Sequence, residues 1–161
     1  MDEDASSPAA VDQRPRLIII GLVVWVLLQV PRLIAIPLVQ DVLDDTESDA
    51  WMFPAILDIV VAVAAPVVAF ALWRARGLWV WVSAILFFTV SIIDHLDAIT
   101  ASLLAPPPQV FGGGSGPSPT LVPGLQLLVD LVALWLLMRP KLKRYYLHTS
   151  RQRPAPGRSS P

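Results

Sequence analysis

Four long apolar runs, separated by short polar or turn-rich segments, make up most of this chain and leave it few ways to fold. The first, Leu17 to Val39, is interrupted by Gln29 and Arg32; the second, Trp51 to Trp73, carries Asp58 as its one charge. The third, Leu78 to Thr100, holds Asp94, His95 and Asp97, and the fourth, Leu121 to Met138, holds Asp130. A helix of about 20 apolar residues crosses about 30 Å of hydrocarbon, so every run is long enough to span. The expected fold is an all-α integral membrane protein, a four-transmembrane-helix bundle. Its spans lie at about 17–39, 51–73, 78–100 and 121–138 within a transmembrane domain of 17–140. Residues 1–16 read as a disordered N-terminal tail and 141–161 as a basic, largely disordered C-terminal one.

Composition agrees with that frame and removes several classes of function. Of the 161 residues 55% are hydrophobic and 16% charged, and the mean hydropathy of +0.61 exceeds that of ordinary soluble domains. A formal net charge of −1 offers no concentrated basic surface for nucleic acid. Without cysteine, the chain has no disulfide, thiolate metal site or thiol nucleophile. A signal peptide is a poor reading of the first run, whose apolar stretch is too long and contains Pro31-Arg32.

Lysine and arginine placement sets the expected sidedness. Arg14 and Arg16 precede the first span, Arg74 and Arg76 link the second to the third, and Arg139, Lys141, Lys143, Arg144, Arg151, Arg153 and Arg158 follow the fourth. That is eleven of the twelve basic residues, and both termini are therefore expected in the cytoplasm. The 40–50 loop carries Asp41, Asp44, Asp45, Glu47 and Asp49, and the 101–120 loop is an uncharged Pro/Gly/Ser stretch; both are expected outside. The short Arg74–Gly77 link implies a tight hairpin of spans two and three, with Gly77 taking the turn conformation. Trp73, Trp79 and Trp81 are expected at the inner interface, and Trp51 with Phe53 at the outer one.

Charges inside the spans are the candidate site. An Asp or Arg at the centre of an inserting helix opposes insertion by about 2.5–3.5 kcal/mol, so these residues should face one another rather than lipid. Arg32 and Asp58 each lie seven residues from the outer end of their spans, about 10 Å deep. Asp94, Asp97, Gln126 and Asp130 fall in the same half of the bundle. Helical spacing places Gly21, Trp25, Gln29 and Arg32 on one face of span one. It places Asp58, Ala62, Ala65 and Ala69 in a close-packing stripe of span two. Ser91 and Asp94 share a face of span three with His95 at its edge, and Gln126 and Asp130 share a face of span four. Asp58, Asp94, Asp97, Asp130 and His95 are the ion- or proton-binding candidates; Arg32 is the counter-charge, with Gln29, Ser91 and Gln126 as polar partners. One arginine cannot balance four carboxylates, so the surplus acids read either as ionic or protonic groups, with bound protons or a bound cation, or as neutral hydrogen-bonding glue or the lining of a hydrated vestibule. Pro31 and Pro66 each remove a backbone hydrogen bond and are expected to kink their spans.

No cofactor is expected. Neither lysine lies in a span to form a Schiff base, only His95 among the histidines lies in the membrane, and GGGSG at 112–116 lacks the rest of a phosphate loop. No motif carries a resemblance to a known family. Three functional readings follow. The first is a small proton- or cation-linked transporter or channel component, multi-pass in the cell membrane, working as an oligomer or within a larger complex. The second is a non-catalytic membrane subunit whose buried polar residues specify helix assembly. The third is an intramembrane enzyme, using a metal held by the Asp94-His95-Leu96-Asp97 stretch with Asp58 and Asp130, or Ser91 with His95 as its base. The expected partners are the bilayer itself and anionic lipid headgroups at Lys141, Lys143 and Arg144.

Overall fold

The computed structural model describes residues 15–108 and 120–147. The expectations for the N-terminal tail up to Arg14, for 109–119 with the GGGSG stretch, and for 148–161 with His148, Arg151, Arg153 and Arg158 lie outside the described residues. Those described form helices and turns without a strand: α1 (Arg16–Leu27), α2 (Ala35–Leu43), α3 (Met52–Arg74), α4 (Leu78–Leu104), α5 (Leu121–Met138) and α6 (Pro140–Leu147). Short 3-10 segments occupy Val30–Ile34 and Asp49–Trp51. Four stretches are long and apolar enough to cross a membrane: Arg16–Leu43, Asp49–Arg74, Leu78–Leu104 and Leu121–Met138. They match the four apolar runs.

The first run is not one helix. Pro31 has no N–H, and around it the backbone bonds tighten from i−4 to i−3, with Gln29 N–H on Val26 O at 3.1 Å and Arg32 N–H on Gln29 O at 3.1 Å. The kink expected at Pro31 is thus a 3-10 insertion between α1 and α2. α3 instead runs unbroken through Pro66. α2 stops where Asp45 enters the left-handed region at φ 55°. There the N–H of Thr46 bonds Asp41 O and that of Asp45 bonds Val42 O, a Schellman closure with aspartate in place of glycine.

Gly77 makes the α3–α4 hairpin with a φ of 131°, which a side chain would resist. α3 and α4 form the middle of the bundle. α1, the Val30–Ile34 turn and α2 pack on α3, whereas α5 packs on α4. Ala62, Ala65 and Ala69 are buried along α3 and admit α1 and α4 closely.

Two apolar clusters fill the interior. One joins Ile19, Leu22, Ala69, Leu72, Phe88, Leu137, Leu142 and Tyr146; the other joins Ala35, Leu38, Val42, Trp51, Ala55 and Ala101. The outer surface is apolar as well: Val63, Val67 and Phe70 of α3, Leu96 of α4 and Leu125, Leu128 and Trp135 of α5 are exposed. Such a surface suits hydrocarbon rather than water.

Two further expectations are corrected. Residues up to Leu147 are helical instead of belonging to a disordered tail, because Pro140 suits a helix start and Leu142 and Tyr146 bury against the bundle. The Trp51 ring is not presented outward as an interface anchor would be; it is buried in the second cluster, and its Nε1 donates to Pro106 O at 3.0 Å, tying the segment after α4 to the start of α3. Phe53 is exposed.

Candidate functional site

Between the two apolar clusters lies a polar layer to which every long helix contributes. Arg32 is its hub. The 3-10 turn places Arg32 above Gln29, since side chains three apart eclipse at three residues per turn. Its Nη1 lies 3.0 Å from Asp58 Oδ1 of α3 and also pairs with Asp94 Oδ2 of α4. Its Nη2 lies 3.0 Å from His95 Nδ1 and 2.6 Å from His95 Nε2. A guanidinium only donates, so the imidazole must present a lone pair to it. Nε2 makes the closer contact and also faces α5, so it lies between the guanidinium and Asp130.

On that side His95 Nε2 is 3.2 Å from Asp130 Oδ2, in ion-pair range but without the angle of a hydrogen bond. Asp130 Oδ1 accepts from Trp25 Nε1 at 2.6 Å. The chain of contacts runs from Asp58 through Arg32 to Asp94 and His95, then to Asp130 and back to α1 at Trp25. It joins all four apolar stretches.

Burial within the layer is uneven. Asp94, His95 and Asp130 are buried, whereas the Asp58 side chain is 23% exposed. Gln29 and Ser91 are also buried, and neither Gln29 amide atom nor Ser91 Oγ finds a hydrogen-bond partner in the protein. Asp94 Oδ1 is unpartnered too.

Not every sequence candidate enters. Asp97 and Gln126 are half-buried and make no ion pair or hydrogen bond. α4 and α5 run in opposite directions, so each lies one turn from the network on the side of the second cluster. Trp25 is the site residue that sequence reasoning left out. Its place on the Gly21–Arg32 face was legible, but the indole N–H was not counted as a polar partner.

The arrangement bears on the enzymatic readings. Among the described residues no group of three or more His, Asp or Glu could hold a metal ion, and the Arg32 guanidinium occupies the space between Asp58 and Asp94. Ser91 makes no bond to His95, whose ring is engaged by Arg32 and Asp130, so no nucleophile–base pair forms. No family model, curated protein or solved structure matches this chain. The functional reading rests on the side chains themselves.

Proposed function

We propose that this chain is a multi-pass protein of the cell membrane with both termini in the cytoplasm, and that its buried network is the proton-binding site of a small proton-linked transporter or channel component. One observation carries the reading. One guanidinium is the fixed positive charge among three carboxylates, Asp58 and Asp94 at Arg32 and Asp130 at His95, in a layer between two apolar clusters. The negative charge in excess must be met from outside the protein. A proton fits the space left by Arg32 better than a metal ion does, and His95, between Arg32 and Asp130, can carry one across the bundle. Asp94 and Asp130 are then the exchanging groups and Arg32 the fixed counter-charge.

Reconstitution tests this directly. Purified protein in lipid vesicles containing a pH-sensitive dye is given a potassium diffusion potential. Wild type should change internal pH faster than vesicles without protein, and Asp94→Asn and Asp130→Asn should abolish the excess while Asp97→Asn preserves it. In detergent, Asp94→Asn should flatten the dependence of melting temperature on pH between about 5 and 8. Wild-type vesicles that carry no proton current, with a pH profile unchanged by Asp94→Asn, would sink the proposal.

A second reading has its own support: each long helix contributes to one connected network, which is what a device for specifying helix assembly requires. A non-catalytic subunit of this kind would show no proton current and would migrate only with another polypeptide after mild solubilisation.

The basic end adds a lipid partner. Lys141, Lys143 and Arg144 are exposed on α6, beside Arg139 stacked on Trp135 at 3.7 Å and Arg76 on Tyr145 at 4.4 Å. Anionic headgroups would gain about 1 kcal/mol per basic residue there. Replacing neutral lipid by phosphatidylglycerol should raise the wild-type melting temperature, and converting all three exposed residues to Gln should remove that rise.

A further inference from the structure

Among the described residues, five buried side-chain atoms have no hydrogen-bond partner in the protein: Gln29 Oε1 and Nε2, Ser91 Oγ, Asp94 Oδ1 and Asp130 Oδ2. They are not scattered. The segment from Arg16 to Leu43 and α4 run in the same direction, because the early residues of both (Ile19, Ala84) enter the first apolar cluster and the late ones (Leu38, Ala101) the second. Arg32 and Asp94, which pair, are 62 positions apart. Gln29 and Ser91 are separated by the same interval, each one turn before its neighbour in that pair, and so lie level with one another. Asp130 is drawn to that level by Trp25, one turn before Gln29, and by His95, one turn after Ser91.

Leaving these atoms dry would cost the bundle their full desolvation. The mixture of types identifies what satisfies them. A cation would take the oxygens and leave the Gln29 amide N–H groups unmet, whereas water donates and accepts. Buried water typically makes two to four bonds to such groups. We infer that Gln29, Ser91, Asp94 and Asp130 hold a small cluster of ordered water inside the bundle, and that this water joins the Asp94 and Asp130 carboxyls for proton exchange. When Asp94 is protonated, its O–H bond breaks as one forms on the adjacent water, and that water passes a different proton to Asp130. Charge is conserved and no electron is transferred. The exchange rests on the proton-linked reading above; the hydration does not.

Radiolytic hydroxyl labelling of the full chain in detergent tests it, because bound water is the source of the radical. Phe88 is the reporter, fully buried and one turn from Ser91. Wild type should be oxidised at Phe88, and the label should be lost in the double variant Gln29→Leu, Ser91→Ala. Each single substitution should lower the melting temperature by roughly 2–4 °C, the shift that about one lost hydrogen bond gives at this chain length. An unlabelled Phe88 in wild type overturns the inference without recourse to any variant. So does a rise in melting temperature for both single variants with labelling unchanged, since removing dry orphans stabilises. A wild-type melting temperature that falls when sodium is replaced by N-methylglucamine assigns the site to a cation and also overturns it. Labelling as expected from a protein that carries no protons upholds the water cluster and rejects the proton-linked function.

Discussion

Arg32 holds three partners at once, and its loss leaves carboxylates buried without a counter-charge. Removing one member of a buried ion pair typically costs about 3–5 kcal/mol, whereas an ion pair open to solvent contributes about 0–1 kcal/mol. Arg32→Met should therefore lower the melting temperature far more than Asp58→Asn, because the Asp58 carboxylate is 23% exposed and its removal leaves Arg32 paired with Asp94. Equal shifts for the two variants would show that Arg32 is not the hub. Much at this scale was legible beforehand. Equal depth from the helix ends brought Arg32 to Asp58, and the face carrying Asp94 brought α4 to both. What sequence could not settle was thickness. A depth count resolves about a turn, and Asp97 and Gln126 each miss the layer by one turn. Trp25 was missed because an indole reads first as an apolar ring, although its N–H needs a partner when buried.

Elements were legible in proportion to their apolar length. α4 and α5 start where their runs start, directly after Gly77 and Thr120. The interruption of the first run was readable only as a proline. Whether Pro31 bends a helix or converts it to a 3-10 turn depends on what the freed carbonyls and Arg32 find opposite them, which is tertiary information. α6 was hidden for a different reason. A short, highly basic segment scores as tail, yet Leu142 and Tyr146 four apart form one buried edge, with Tyr146 Oη donating to Leu72 O at 3.2 Å. Eight residues are too few for a helix to persist in isolation, so docking must maintain it. Tyr146→Ala, a core truncation of the kind that costs about 3–5 kcal/mol, should release α6 and expose Lys141, Lys143 and Arg144 to trypsin. Tyr146→Phe keeps the ring and should remain protected. Cleavage of wild type as fast as of Tyr146→Ala would mean that α6 is not docked.

Across the whole molecule, charge is divided between the two ends of the bundle. Arg16, Arg74, Arg76, Arg139, Lys141, Lys143 and Arg144 gather near the cluster of Ile19, Leu72 and Leu142, while Asp41, Asp44, Asp45, Glu47 and Asp49 lie beyond the cluster of Val42 and Trp51. Insertion machinery retains segments flanked by basic residues in the cytoplasm, and the orientation proposed above rests on this division. The Asp58–Arg32–Asp94 pairing lies toward the acidic end and α6 at the basic one. The absence of cysteine allows the orientation to be measured cleanly, because any introduced thiol is unique. Thr46 and Ala75 are exposed, on the acidic loop and the basic hairpin respectively. In intact cells, Thr46→Cys should react with a membrane-impermeant maleimide at once, and Ala75→Cys only after the membrane is opened. The reverse pattern would invert the topology and put α6 outside, away from the anionic leaflet it is proposed to bind. Immediate labelling of both would indicate two inserted orientations, and a proton site shared by two opposed orientations would carry no net direction.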